Sequence, residues 1–417
     1  MNISFGFGKE KVDVTLPDEK VSAVLRPNQA KIDLRGEAEV ARSMKKPIGS
    51  ERLSKIVKPG EKIVIITSDI TRPIPSYKVL PSVLEELAIA GIPDEDITIV
   101  FALGSHGGHT EERMRYMVGD AIYERIHCVD SDMNDYIHLG TTAHGTPVDI
   151  FTPVAKADRK ICLGNIEYHY FAGYSGGAKA IMPGVSTRAA IQSNHSAMVR
   201  PEACAGRLEG NPVREDIEES GRILGIDYIV NVVLDEKKEI IRCFSGDSVK
   251  AHRAGCDFLD SFYKIEVNEK ADIVIVSAGG FPKDINMYQA QKALDNARHA
   301  VKKGGIIVWI ASCLEGLGER HFEEWMTGHE KASDMISHIR EEFILGGHKA
   351  AAIAMVLENA RIFLVSDLEP DFVSSVFLEP YHDIQEAIDA AIAASPADAQ
   401  IIAMPYGGST LPKVLHP

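Results

Sequence analysis

Lys62-Ile-Val-Ile-Ile-Thr67 is an unbroken, mostly β-branched run, and a polar loop follows it at once, Ser68-Asp-Ile-Thr-Arg-Pro-Ile-Pro75. A strand without polar alternation is buried on both faces, the mark of a parallel sheet covered by helices. A helical pattern over residues 77–90 comes next, and Ile97-Thr-Ile-Val-Phe-Ala102 repeats the buried strand. It too runs into a polar loop, Gly104-Ser-His-Gly-Gly-His-Thr110, where Thr110-Glu-Glu opens a helix. Lys160-Ile-Cys-Leu-Gly164 is a third strand. Towards the N-terminus, Val12-Asp-Val-Thr-Leu16 and Val21-Ser-Ala-Val-Leu25 read as short strands. Towards the C-terminus, strands are expected at residues 272–277, 306–310, 361–366 and 400–404. Helices are expected over 286–302, ended by Gly304-Gly305, and over 384–394. Strands alternating with helices mean an α/β protein with largely parallel sheets.

The chain has 417 residues, enough for two domains at roughly 100–200 residues each. The charged stretch at 264–270 suggests the division: an N-terminal α/β domain over residues 1–268 and a C-terminal α/β domain over 269–417. The last segment is a candidate to return to the first domain. Open α/β sheets bind ligands beyond the carboxyl ends of their strands. The loops after Thr67, Ala102, Gly164 and Ser277 carry Asp69 and Arg72, then His106 and His109, then His169 and Lys179, then Tyr288, Gln289 and Lys292. An active site in a cleft between the two domains is the expectation.

Net charge is −15, which argues against nucleic acid as the main partner, because phosphate binding needs a basic face. A few local Arg and Lys side chains still suffice for a small anion. The opening Met1-Asn-Ile-Ser-Phe-Gly-Phe-Gly has neither the basic nor the apolar region of a secretory signal. No apolar run approaches the roughly eighteen residues of a membrane span. Cys128, Cys162, Cys204, Cys243, Cys256 and Cys313 are scattered without a Cys-x-x-Cys pair, so reduced packing cysteines in a cytoplasmic protein are expected, and a structural zinc site is not.

The chemistry concentrates in His169-Tyr-Phe-Ala-Gly-Tyr-Ser-Gly-Gly-Ala-Lys179, followed by Pro183-Gly184 and Asn194-His195. Gly176 and Gly177 allow close approach of backbone to a ligand. Imidazoles offer acid–base chemistry or metal ligation, and a lysine offers a charge or a covalent tether. The ordinary alternative is a solvated turn. Gly173-Tyr-Ser-Gly-Gly177 also fits Gly-x-Ser-x-Gly, which would make Ser175 the nucleophile of a serine hydrolase. That motif needs the serine between a strand and a helix, whereas the strand here ends about ten residues earlier. The lysine lies between alanines, so this is no Walker A loop. His106, His169 and His195 fit a zinc site or an acid–base pair plus one metal ligand equally well. Asp69-Ile-Thr-Arg72 reads as a carboxylate clamp or a surface ion pair, and Tyr288-Gln-Ala-Gln-Lys292 as an anion-holding or a solvated helix face. A non-catalytic protein that binds an anion or nucleotide is the remaining alternative.

Taken in order, these motifs, with Ala102-Leu-Gly-Ser-His106 and Gly210-Asn-Pro-Val-Arg214, resemble the nickel-dependent lactate racemase family over most of the chain. The resemblance implies a racemase or epimerase of 2-hydroxy acids and a nickel pincer nucleotide, a pyridinium mononucleotide that binds nickel through carbon and two sulfurs. It implies dependence on the proteins that synthesise that cofactor. Lys179 matches the lysine that tethers it through a thioamide, and His195 matches the histidine that completes a roughly square-planar nickel, a geometry suited to Ni(II). His106 and His169 match the acid–base pair, and Arg72 the carboxylate-binding arginine. Gln289 and Lys292 match residues that hold substrate or cofactor; Asp69, Tyr288, Gly176 and Gly177 fall with the cofactor-binding set. Family members remove the α-hydrogen as hydride while a histidine takes the hydroxyl proton. Two departures bear on substrate: Gly107-Gly108-His109 where lactate-specific members have bulkier residues, and Gly346-Gly-His348-Lys349 where they have a tryptophan. They suggest a more polar substrate, malate-like or aldonate-like, with Lys349 in contact with it.

Overall fold

The structure is a computed structural model that describes residues 1–28, 32–235 and 237–416. The chain divides into two compact units, one of Ala30–Asp260 and one of Met1–Gln29 with Ser261–Pro417. Each carries a six-stranded, largely parallel sheet, as the alternation of strands and helices predicts. The expected boundary at 268/269 counts the first residues with the N-terminal half. In the structure the strand Val21–Val24 pairs in parallel with Ile401–Met404, and that ladder places the N-terminal segment in the C-terminal unit.

In the unit Ala30–Asp260 the strand order is Ile240–Gly246, Tyr228–Leu234, Arg159–Asn165, Ile63–Ser68, Ile97–Ala102, His127–Asp130. All neighbours are parallel except the first pair, an antiparallel hairpin. The two sequence runs with no polar alternation, at Ile63 and Ile97, lie in the middle of this order, where both faces are covered. The helix Ser76–Ile89 buries Val79, Leu80, Val83 and Leu87, a 3.6-residue stripe set against that core. Thr110 caps the helix Glu111–Val118 through a side-chain oxygen that accepts from the Arg113 amide. The hairpin of Tyr136–Thr141 with Pro147–Phe151 has no clear signature in the sequence, because its first strand is mostly exposed and carries little apolar pattern.

In the C-terminal unit the order is Glu379–Tyr381, Ala360–Val365, Val301–Ile310, Ala271–Ser277, Ile401–Met404, Val21–Val24, parallel throughout. The helix expected to reach residue 302 stops at Ala297, and the next strand begins at Val301, so Gly304 and Gly305 lie inside a strand rather than ending a helix. The Gly305 position explains its residue type: a Cβ there would meet the Asp272 carbonyl oxygen at 2.6 Å. Cys162, Cys243, Cys256 and Cys313 are buried, and burial pushes their thiols up, which suits packing rather than reactivity. Among the described residues no helix is long and apolar enough to cross a membrane.

Candidate active site

Three adjacent parallel strands of the Ala30–Asp260 unit, Arg159–Asn165, Ile63–Ser68 and Ile97–Ala102, end at one edge of the sheet, where Ser68 pairs with Ala102. Topology therefore brings together loops that are about a hundred residues apart in sequence. The first loop turns on Asp69. Its Oδ1 accepts from the Thr71 amide at 2.7 Å, and its Oδ2 stands 3.0 Å from Nδ1 of His106 on the neighbouring loop. Burial by itself would raise the Asp69 carboxyl. The hydrogen bond and charge of His106, with the bonds from Thr71, outweigh it and hold the carboxyl below its ordinary value. A carboxylate only accepts, so in neutral His106 the proton lies on Nδ1 and the lone pair on Nε2. Arg72 is exposed on the same turn, its amide bonded to the Asp69 carbonyl at 3.1 Å. His109 is built differently: Nδ1 is 2.6 Å from Asp130 and Nε2 accepts from the Ile70 amide at 3.2 Å. With both ring nitrogens engaged, it braces the two loops.

The third loop contains a two-residue hairpin, Tyr168–His169 against Gly173–Tyr174. Both tyrosine hydroxyls donate to Asp260, at 2.9 and 2.7 Å, and anchor the hairpin to the helix Lys250–Tyr263. At its tip the Nδ1 of His169 accepts from the Ala172 amide at 3.2 Å. An amide can only donate, so in neutral His169 the proton sits on Nε2. The two imidazoles thus rest in opposite tautomers.

Phe171 joins the rest. Its ring centroid is 4.5 Å from that of His169, 5.0 Å from that of His195 and 5.8 Å from the Lys179 amine. The Phe171 carbonyl is held by the Asn211 side-chain amide at 2.9 Å. Lys179 keeps some exposed surface along its side chain, but its amine lies deep. Burial first, then the charges of Arg72 and Arg214, push its pKa well below the ordinary lysine value, with Glu167 opposing. His195 is buried in the helix Arg188–Ser196, its Nδ1 2.9 Å from Oδ1 of Asn194.

Gly176 and Gly177 have a packing reason to be glycine. Both have positive φ, and a Cβ on Gly176 would come within 2.7 Å of the Asn231 side-chain oxygen. That oxygen accepts from the Gly177 amide at 2.7 Å. Arg214, fully buried, reaches the Tyr174 and Gly176 carbonyls and His252, whose Nε2 in turn contacts the Ser175 carbonyl. Ser175 itself is occupied: its hydroxyl donates to the Asn165 carbonyl at 2.7 Å and accepts from the Glu167 amide at 2.9 Å. It follows a hairpin rather than a strand-to-helix turn. The geometry of a nucleophile elbow is absent.

In the C-terminal unit, Asn286 caps the helix Met287–Ala297 by accepting from the Gln289 amide at 2.9 Å. The cap sets Tyr288, Gln289 and Lys292 in the first turns of that helix, with Gln289 exposed and the other two half-buried. Lys349 lies in the helix Gly347–Leu357. Its amine is 3.9 Å from the Tyr288 ring centroid and donates to the Tyr288 carbonyl at 2.6 Å. Buried His348 accepts from the Gly346 amide at 3.0 Å.

Phe171, Asn194, Asn211, Asp130 and Asp216 are absent from the sequence reading as site residues, although Phe171, Asn194 and Asn211 stand inside the motifs it quotes. Only a side chain's contacts separate a hub or a buttress from ordinary packing.

Residues 7–206 match the family model for the lactate racemase N-terminal domain, and residues 267–411 that for the lactate racemase C-terminal domain. The chain is 34% identical to a lactate racemase of Thermoanaerobacterium thermosaccharolyticum, over 98% of this chain and 99% of that protein. It is 32% identical to a lactate racemase of Lactiplantibacillus plantarum, over 97% and 98%. The structure of the lactate racemase apoprotein from the former organism superposes with a TM-score of 0.89 at 34% identity, covering 99% of this chain and all of that one. A protein from Thermotoga maritima, 16% identical, shares the fold with a TM-score of 0.62, over 91% of this chain and 100% of its own. Two family models in the right order and full-length identity above 30% place this chain in the lactate racemase family, as an isomerase.

Proposed function

We propose that this chain racemises or epimerises a 2-hydroxy acid with a nickel pincer nucleotide tethered to Lys179. The observation that carries the reading is the deep amine of Lys179, its pKa driven well below the ordinary value, beside a phenyl ring that also touches His169 and His195. Forming a thioamide requires the unprotonated amine, and this site stabilises that form. The donor set fits the rest of the group. His195 has Nδ1 engaged by Asn194, which makes Nε2 the ring's metal-ligating nitrogen. When bound, the cofactor supplies a carbon that accepts and returns the substrate's α-hydrogen as hydride.

The chain's own residues divide the remaining work. Asp69 holds His106 with its Nε2 lone pair ready to take a hydroxyl proton. His169, protonated on Nε2 by the Ala172 contact, is ready to deliver one. Reversal of the reaction exchanges these roles. Arg72 is assigned the substrate carboxylate, which a guanidinium matches in bidentate fashion. Gln289 and Lys292 are assigned to substrate, and Tyr288, Gly176 and Gly177 to the cofactor. Cofactor-biosynthesis proteins are the implied partners. The substrate is more polar than lactate, of malate or aldonate type, on the strength of Gly107-Gly108 and the basic segment His348-Lys349.

Intact-mass measurement after co-expression with the cofactor-making proteins tests the tether. An adduct mapping to Lys179 supports the reading. An unmodified lysine, with Ser175 labelled by a fluorophosphonate, would instead revive the hydrolase; an unmodified lysine with neither nickel nor turnover would leave a binding protein.

A further inference from the structure

His195 does not set its own orientation. Its Nδ1 lies 2.9 Å from Oδ1 of Asn194, the residue before it on the same helix. A side-chain amide can face an imidazole with either its oxygen or its nitrogen, and the two choices impose opposite tautomers. Here the choice is made elsewhere. The Asn194 nitrogen donates to the Val213 carbonyl at 3.1 Å and to Oδ2 of Asp216 at 2.7 Å. Both partners are pure acceptors. Turning the amide over would set its oxygen against two oxygens and lose both of these hydrogen bonds, whatever its nitrogen gained from the ring. Asp216 is in turn fixed, because the Thr142 hydroxyl donates to its other oxygen. All of these side chains are buried, so water cannot substitute for any of the partners.

We infer that Asn194 and Asp216 are positioning residues that hold His195 in the Nδ1–H tautomer and so present Nε2 as the metal-binding nitrogen. The inference rests on the proposed role of His195 as nickel ligand. It adds residues that never touch the metal: Asn194 chooses the nitrogen, and Asp216 keeps Asn194 from flipping. Histidine ligands commonly donate their second ring N–H to a fixed acceptor, which orients the ring and raises its basicity. In this chain the acceptor is an amide whose direction is set by a carboxylate on another helix, Pro212–Leu224. The arrangement also gives the Gly210-Asn-Pro-Val-Arg214 motif a purpose: Asn211 starts that helix by accepting from the Val213 and Arg214 amides, and so places Asp216.

The test has two readouts. Protein made with 15N-labelled histidine and without cofactor is expected to show His195 protonated on Nδ1 by nitrogen NMR. A wild-type His195 protonated on Nε2 overturns the inference outright, and it needs no variant to fold. In Asn194→Leu the resonance is expected to move towards the Nε2–H form, and in cofactor-loaded protein nickel release to a chelator is expected to quicken about 10–100-fold. Asp216→Leu is expected to do the same more weakly, through a flipping Asn194. An unchanged tautomer and release rate in a folded Asn194→Leu protein would overturn it. Wild-type protein that acquires cofactor but no nickel refutes the metal role of His195, while the tautomer measurement still decides whether the relay exists.

Discussion

Oδ2 of Asp69 lies 3.0 Å from Nδ1 of His106, whereas Nδ1 of His169 is met at 3.2 Å by the backbone amide of Ala172. A carboxylate in one place and an N–H in the other leave the outward nitrogens of two otherwise equivalent imidazoles as an acceptor and a donor. A reaction that moves one proton off a hydroxyl and later returns it needs that pair at rest.

Asp69→Asn replaces a group that can only accept by an amide that can turn its N–H2 towards Nδ1, so the His106 tautomer is no longer fixed. The expected result is a fall in kcat of about 10²–10⁴-fold with a smaller change in KM, measured on cofactor-loaded enzyme in both directions. The wild-type Asp69 carboxyl is held below its ordinary value, so its stabilising contribution is complete above the unfolded value of about 3.9 and disappears as pH drops through the lower folded value. The dyad therefore stays intact through mildly acid pH. An unaltered kcat in the variant would remove Asp69 from the mechanism.

Lys179 supplies a pH signature of its own. Its folded pKa lies well below the unfolded lysine value of about 10.4. Between the two, the unfolded chain binds a proton that the folded, cofactor-free chain does not, so this group makes stability rise with pH across that window. Lys179→Met is expected to be more stable than wild type near neutrality, with a flatter dependence of Tm on pH from 7 to 10. Thermal unfolding at a series of pH values checks this; parallel curves would contradict a deep, deprotonated amine. The same variant should acquire no covalent adduct.

His195→Ala is expected to lose nickel while keeping the fold and the adduct on Lys179. Elemental analysis of the cofactor-loaded variant, with circular dichroism as the control for folding, decides it. Full nickel occupancy would sink the assignment of His195.

Substrate choice is read from a panel comparing lactate with malate and gluconate. The Lys349 amine spends one of its three N–H donors on the Tyr288 carbonyl and lies over that ring. Lys349→Ala is expected to lower turnover of the polar acids by about ten- to hundredfold relative to lactate, the size of a charge-assisted contact worth about 1.5–3 kcal/mol. A uniform loss on every acid would show that Lys349 serves only to seat Tyr288. A wild-type preference for lactate would refute the polar-substrate reading and leave the racemase standing.

The fold class was legible in the runs starting at Ile63, Ile97 and Ile273, because a strand covered on both faces is apolar at nearly every position instead of at alternate ones, and that pattern is local. So were the reactive residue types at the strand ends, since imidazole, amine and guanidinium are visible as letters. Tertiary structure alone decided the rest. The pairing of Val21–Val24 with Ile401–Met404 depends on a ladder between segments hundreds of residues apart, and no periodicity encodes a partner. The committed hydroxyl of Ser175, the suppressed basicity of Lys179 and the tautomers of His106, His169 and His195 are likewise not properties of residues. They come from which donor or acceptor, and how little water, the fold sets beside each one.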